Sequence, residues 1–269
     1  VEDLITTIYP TVVCICAGWT FVDGCESDPA KANALNNAGP AAVAAVAKKH
    51  GAKVVWYSTD YVFDGGASIA GFAPSKGCGP YGETDPVAPL NVYGSSKLAG
   101  EAAVLAADPS ALVIRTNVVF GPEGAGKNFI YQLCRNLQAA KEMKVPTDQI
   151  NTPTYNRDLA ACTKLLVEAN ASGVYNIGGS DVLGRYDFAR AACVVLNELR
   201  PGTVLDASLL TGVTTSNAGQ AAKRPLASGL KLDKTQASLL AAGVVWKPRT
   251  VQEALKDWVT NPRGKPLGE

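Results

Sequence analysis

Three short runs of apolar β-formers, separated by stretches with helical periodicity, constrain this chain more than any other feature. The first is Thr11–Ala17 (TVVCICA), the second Lys53–Ser58 (KVVWYS) and the third Ala111–Phe120 (ALVIRTNVVF). A continuous apolar run, rather than strict alternation, marks a strand covered on both faces, as strands in parallel sheets are. Between the first two lies Ala30–Lys49, with alanines, Leu35, Val43 and Val46 at helical spacing and Gly51 as a stop. Between the second and third lies Leu90–Leu105, helical, with Pro89 in the permitted first-turn region. Strands alternating with helices of this length predict an α/β fold built on a parallel, doubly wound sheet.

After Gly121 the rhythm loosens. Helices are expected at Phe129–Lys141, Asp158–Asn170, Tyr186–Leu199, Leu232–Ala242 and Val251–Val259, with one more strand at Val174–Ile177 before Gly178-Gly179. The stretch Leu205–Pro225 reads as polar and irregular, and Asp64–Asp85 as a long loop. At 269 residues the chain can hold one large domain with a smaller lobe. The expected division sets 1–122, rejoined by about 158–180, against a lobe of 123–157 and 181–269.

Net charge is +1 and no basic run stands out. Electrostatics therefore give no support to a nucleic-acid partner or a membrane surface, and no run approaches the roughly 18 apolar residues of a spanning helix. Seven cysteines form no Cys-x-x-Cys pair, and the single histidine, His50, offers little to a metal site. Most of these cysteines sit in apolar stretches, as buried free thiols do, which fits a reducing compartment such as the cytoplasm.

The residues that carry chemistry begin with Tyr93-Gly-Ser-Ser-Lys97. Four residues apart on a helix, the two side chains share a face. A phenol with an ordinary pKa near 10 is a poor acid at neutral pH, and an ammonium beside it would lower that value. Reduction of a carbonyl by hydride needs such a proton donor. Upstream, Ser58-Thr59-Asp60-Tyr61-Val62-Phe63-Asp64-Gly65 stands at the end of the second strand, where open α/β sheets bind ligands.

Taken with Tyr81-Gly-Glu83-Thr-Asp85 and Pro89-Leu-Asn-Val-Tyr-Gly-Ser-Ser-Lys-Leu-Ala-Gly-Glu101, these motifs resemble the signature of dTDP-4-dehydrorhamnose reductases. Those enzymes are extended short-chain dehydrogenase/reductases with a Rossmann-type fold. The resemblance continues at Arg115-Thr116, Asn128-Phe129, Thr152-Pro153-Thr154, Asp158-Leu159-Ala160 and Arg224-Pro225. It implies a catalytic set of Thr59, Tyr93 and Lys97, with Tyr93 the general acid and Lys97 also on the nicotinamide ribose. It further implies that Ala17, Gly18, Thr20, Ser58 and Thr116 line an NADP (or NAD) site. Arg115–Asn117 would flank nicotinamide and substrate, and Asn117, Val118 and Arg224 would meet a nucleotide-linked 4-keto-sugar.

Two departures fall beside the expected sugar pocket: about ten extra residues near Gly66–Gly79, and Arg115-Thr116-Asn117-Val118 where an aromatic commonly follows Arg-Thr-Ser. The regulatory β subunit of methionine adenosyltransferase shares much of the motif set. A non-catalytic subunit with a synthetase partner is therefore the alternative to a reductase, which could itself be a homodimer.

A dinucleotide fold also carries Gly-x-Gly-x-x-Gly after its first strand, and no such pattern occurs here. With Thr11–Ala17 as the fourth strand, the expectation is a shortened form lacking about 45 residues of βαβ structure, inactive as it stands. Finally, Gly121-Pro-Glu-Gly-Ala-Gly126-Lys127 fits the phosphate-loop pattern up to Asn128, where Mg²⁺ binding needs Ser or Thr. Pro122 also removes an amide donor, so a plain connecting loop is expected.

Overall fold

A computed structural model describes residues 1–66, 80–200, 202 and 204–267 of the chain. The lengthened stretch near Gly66–Gly79, Cys78 included, lies almost wholly outside the described residues. Among the described residues the central sheet has four parallel strands in the order β1-β2-β3-β8, with β1 at Val12–Ile15, β2 at Lys53–Thr59, β3 at Leu112–Thr116 and β8 at Gly173–Asn176. Helices cover both faces, as the alternation of the sequence predicts. One layer holds α1 (Glu2–Ile8), α4 (Gly39–Lys49) and α5 (Val92–Ala107), around Val54, Trp56, Val104 and Val113. The opposite layer holds α7 (Asn156–Glu168) and α9 (Asp233–Ala241), around Val55, Leu112, Ile114, Leu166 and Leu239. Each such large side chain removed from water contributes about 1.5–3 kcal/mol. That is why the two-face apolar runs of β2 and β3 fix the sheet.

A separate apolar cluster is built from α6 (Phe129–Gln138), α8 (Arg185–Leu199) and α10 (Val251–Thr260), with Phe120, Tyr155, Phe188 and Trp258 among its large residues. Short strand pairs border it: β10 (Leu210–Val213) with β5 (Met143–Pro146), β4 (Val119–Phe120) with β7 (Thr154–Tyr155), and β6 (Ile150–Asn151) with β9 (Leu183–Gly184). Two short helices, α2 (Val22–Ser27) and α3 (Pro29–Asn33), follow β1.

The structure differs from the sequence expectations in three instructive places. The third run is not one strand: it breaks after Thr116, because Val118 lies at φ 40°, in the left-handed region that a β-branched residue rarely adopts. The break passes the chain from the central sheet to β4 and its partner β7. The Ala30–Lys49 helix begins at Pro29, capped by Asp28, and widens into a π-turn over Ala34–Ala38 before resuming as α4. The first strand is not buried on both faces. β1 is at the sheet edge, and Cys14 and Cys16 are exposed, unlike Cys25, Cys134, Cys162 and Cys193. Among the described residues no helix is long and apolar enough to cross a membrane.

Helix α5 positions the site by unusually close approach. Asn91 caps it, accepting from Gly94 N at 2.7 Å, and its buried face runs Tyr93, Gly94, Lys97, Gly100, Glu101 and Val104. A Cβ at Gly94 would lie 2.2 Å from the Tyr61 carbonyl oxygen, and one at Gly100 would lie 2.1 Å from the Asn36 carbonyl oxygen and 2.7 Å from the Trp56 ring. Backbone therefore meets backbone, and Gly100→Ala is expected to cost about 1–3 kcal/mol, read as a lowered urea or thermal midpoint. A wild-type midpoint would show that the helix can retreat without loss.

Candidate active site

Three side chains singled out by the sequence converge where β2 ends. Thr59 is the last residue of β2, and its hydroxyl lies within hydrogen-bonding reach of the Tyr93 phenol. Thr59 Oγ1 also contacts Asp60 Oδ1 at 3.1 Å and accepts from Tyr61 N at 3.2 Å. Tyr93 is 8 % exposed and packs against Cys25 and Ala32, with its ring 5.7 Å from that of Tyr61 in an edge arrangement. One turn on, Lys97 is 5 % exposed, donates to the Tyr57 carbonyl at 2.5 Å and sits 4.1 Å over the Trp56 ring.

Burial pushes the Tyr93 phenol well above its ordinary value, and the Thr59 hydrogen bond only partly opposes this. The sequence reading assigns to Lys97 the task of lowering the phenol. In the structure the ammonium points instead to the Tyr57 carbonyl and the Trp56 ring, and burial dominates. Burial also lowers Lys97 to about 8, with the Glu101 carboxylate opposing it. That carboxylate is two turns beyond Tyr93 on the same face.

Glu101 is the hub that sequence analysis passed over. It takes Arg115 through both oxygens, Nε to Oε1 at 2.9 Å and Nη2 to Oε2 at 2.7 Å, and Ser58 Oγ donates to Oε1 at 2.6 Å. Arg115 also donates to the Glu83 carbonyl at 3.2 Å and faces the Phe63 ring. Ser58 and Arg115, which the resemblance places beside cofactor and substrate, here both hydrogen-bond to the buried Glu101 carboxylate. Asn117 and Thr116 end β3. The Asn117 amide is held among the Thr152 and Thr154 hydroxyls, and Thr116 Oγ1 is buried without a hydrogen-bond partner among the described residues.

Asn36, in the π-turn, was also missed. It is fully buried and grips Trp19 through both backbone groups, Trp19 N to Oδ1 at 2.8 Å and Nδ2 to Trp19 O at 3.1 Å, while Nδ2 also meets Ser96 Oγ. A π-turn often marks a functional position; two asparagines inside a helical stretch, both weak helix formers, are the signal that could have raised it. The grip orients the Ala17–Thr20 segment, in which Ala17, Gly18 and Thr20 are exposed. A Cβ at Gly18 would come within 3.8 Å of Lys97 Nζ. The open Gly18 backbone, the Lys97 ammonium and the unpartnered Thr116 hydroxyl fit the ribose and nicotinamide half of a dinucleotide.

Arg224 is 9 % exposed, pairs with Asp23 at 2.9 Å and donates to the Ala222 carbonyl at 2.8 Å. Val118, at the strained break, packs against the apolar cluster of the lobe. The phosphate-loop look-alike is filled by its own acid: Glu123 Oε1 accepts from Asn128 N at 2.7 Å and from Lys127 N. No anion can reach those amides while the carboxylate holds them.

A parallel doubly wound sheet with a hydroxyl, a phenol and a buried ammonium grouped at its strand ends defines a short-chain dehydrogenase/reductase. Comparison with known proteins narrows the class. The sequence matches the RmlD substrate binding domain family over residues 1–261, and the chain belongs to that family. It is 34% identical over 251 residues to the spore coat polysaccharide biosynthesis protein SpsK of Bacillus subtilis, covering 93% of this chain and 79% of that protein. It is 42% identical over 181 residues to the dTDP-4-dehydrorhamnose reductase of Mycobacterium tuberculosis, covering 67% of this chain and 57% of that one. Among solved structures, the dTDP-4-dehydrorhamnose reductase of Bacillus anthracis in complex with NADP superposes with a TM-score of 0.82 at 28% identity, over 96% of this chain and 83% of that one.

Asp60 provides a test of the site's electrostatics. Burial raises its carboxyl from 3.8 to about 7, against hydrogen bonds from Ser228, Thr59 and Asn117. Between those two pH values the folded chain holds a proton that the unfolded chain has lost, so this group makes stability fall as pH rises through the window. Asp60→Asn should flatten that fall and raise the melting midpoint above pH 7. An unchanged profile would show that the carboxyl titrates normally.

Proposed function

We propose that this protein is an NADPH- or NADH-dependent reductase of a nucleotide-linked 4-keto-sugar, of the dTDP-4-dehydrorhamnose reductase type. The observation that carries the reading is the placement of Tyr93 beside Thr59 at the end of β2, with Lys97 one turn away against the open Gly18 backbone. Relatives named as dTDP-4-dehydrorhamnose reductases, and one solved with NADP, support it. The sheet-bearing part, 1–122 with 158–180, takes the cofactor; the lobe, 123–157 with 181–269, takes the sugar nucleotide.

The cofactor, when bound, supplies hydride to the carbonyl carbon. Tyr93 gives its proton to the carbonyl oxygen as that oxygen gains charge, and Thr59 orients the oxygen against the phenol. A phenol raised by burial stays protonated in the resting site, which suits a proton donor. Lys97 holds the ribose hydroxyls, and its charge supports the phenolate left after transfer. Ala17, Gly18 and Thr20 line the cofactor, Thr116 offers its free hydroxyl there, and Asn117 and Val118 form the floor of the sugar pocket.

In the protein that carries this sequence, Tyr93→Phe should lower oxidation of NADPH with dTDP-4-dehydrorhamnose by about 10²–10⁴-fold while leaving NADPH binding in place. Failure of the wild-type protein to oxidise NADPH with any sugar-nucleotide ketone would overturn the reading.

Lys97 adds a pH dependence. Its ammonium, held at about 8, loses its charge as pH rises through that value. The profile of kcat/KM, which reports the free enzyme, should therefore fall above about pH 8. A flat profile to pH 10 would remove Lys97 from the mechanism.

A further inference from the structure

Asp60 follows Thr59 directly, and its carboxyl joins two distant parts of the chain. It is 2 % exposed, and each of its oxygens has its own hydroxyl partner. Oδ1 faces Thr59 Oγ1 at 3.1 Å, and Oδ2 accepts from Ser228 Oγ. Ser228 is itself fully buried, and its N–H donates to the Ile150 carbonyl at 3.0 Å, which ties it to β6. Among the described residues no lysine, arginine or histidine stands within ion-pair distance of Asp60. The titratable groups that sense its charge are Tyr61 in its own turn, Tyr93 on α5 and Arg185 on α8, and of these only Arg185 favours the ionised form. A carboxylate buried without a paired cation is costly, and a proton relieves the cost.

The Thr59 hydroxyl has one hydrogen and two lone pairs. One lone pair takes the Tyr61 N–H at 3.2 Å. An ionised Asp60 can only accept, so the hydroxyl hydrogen then points to Oδ1. The second lone pair draws the hydrogen of the Tyr93 phenol, which lies within reach. In that state neither residue presents a hydrogen to a substrate oxygen. A protonated Asp60 reverses the order. Oδ2 already accepts from Ser228, so the proton sits on Oδ1 and is donated to Thr59. Both lone pairs of Thr59 are then filled, its own hydrogen turns outward, and the phenol keeps its hydrogen for the substrate.

We infer that Asp60 is a positioning residue whose proton, donated from Oδ1, aims the Thr59 hydroxyl at the carbonyl oxygen of the substrate. This rests on the keto-sugar reading above and adds to it the group that sets which way the Thr59 hydrogen bonds run. Asp60 acts through Thr59 and keeps its proton throughout; the proton that passes to the substrate is that of Tyr93. Ser228 fixes which carboxyl oxygen bears the hydrogen.

The test is the pH profile of kcat/KM for NADPH oxidation with dTDP-4-dehydrorhamnose in wild type, Asp60→Asn, Ser228→Ala and Thr59→Val. Wild type should lose activity in two steps, the first near pH 7 from Asp60 and the second near pH 8 from Lys97. Asp60→Asn, whose amide donates to Thr59 at every pH, should keep only the second step. Ser228→Ala should move the first step to higher pH, because the hydroxyl that favours the carboxylate is gone. Thr59→Val, slowed about 10²–10³-fold by the loss of one donor, should lack the first step as well. A first step that persists in Asp60→Asn, or stays in place in Ser228→Ala, would overturn the assignment. So would one that persists in Thr59→Val, since Asp60 would then act on Tyr93 through its charge. If the wild type reduces the keto-sugar and any of these results appears, only the positioning role fails. A wild type with no turnover at any pH removes the keto-sugar reading and this one together.

Discussion

The buried carboxylate of Glu101 is the point to which the sheet-bearing half of this protein is tied. Through Arg115 it reaches β3, through Ser58 it reaches β2, and it stands on α5 one turn from Lys97. Breaking such a pair by removing one partner costs about 3–5 kcal/mol, because the charge left behind has no solvent. Replacing both with apolar residues could cost far less, but would remove the negative charge that opposes the effect of burial on the Lys97 ammonium. The pair therefore couples packing to chemistry. The same contact that docks the helix also places a carboxylate one turn from the lysine, and Ser58 and Arg115 both hydrogen-bond to it.

Around this tie the site is dry and mismatched by design of its surroundings. Tyr93, Lys97 and Asp60 all lie below one-tenth exposure, and burial moves each toward its neutral form. Strongly perturbed groups gathered in one cleft are a mark of function. The resting arrangement has the phenol protonated and the ammonium turned to a backbone carbonyl. Each of these states is suited to an incoming anion and carbonyl.

The layered fold was readable because strands covered on both faces leave uninterrupted apolar runs, as β2 and β3 do. The Thr59, Tyr93 and Lys97 grouping was readable because helical spacing and a strand end place them together, although the roles assigned to them are proposals. The rest depended on distant partners. Asn36 acquires its meaning from Trp19 and Ser96, the latter 60 positions away. Val118 takes a positive φ where the chain leaves β3 to pair with β7, which nothing in Arg115–Phe120 announces. The Arg115 ion pair is likewise visible only once Glu101 is placed against it.

The glycines of α5 bear on how such a protein can diversify. At Gly94 and Gly100 the helix has main chain as its neighbour, and main chain has no alternative rotamers with which to absorb a new side chain. The distance between the phenol and the strand ends is consequently a property of the polypeptide itself, insulated from drift in the residues around it. Variation is free to accumulate on the elements joined by short strand pairs and loops, where side chains rather than main chain make the contacts. Relatives can then differ there while inheriting one fixed spacing between the phenol and the strand ends.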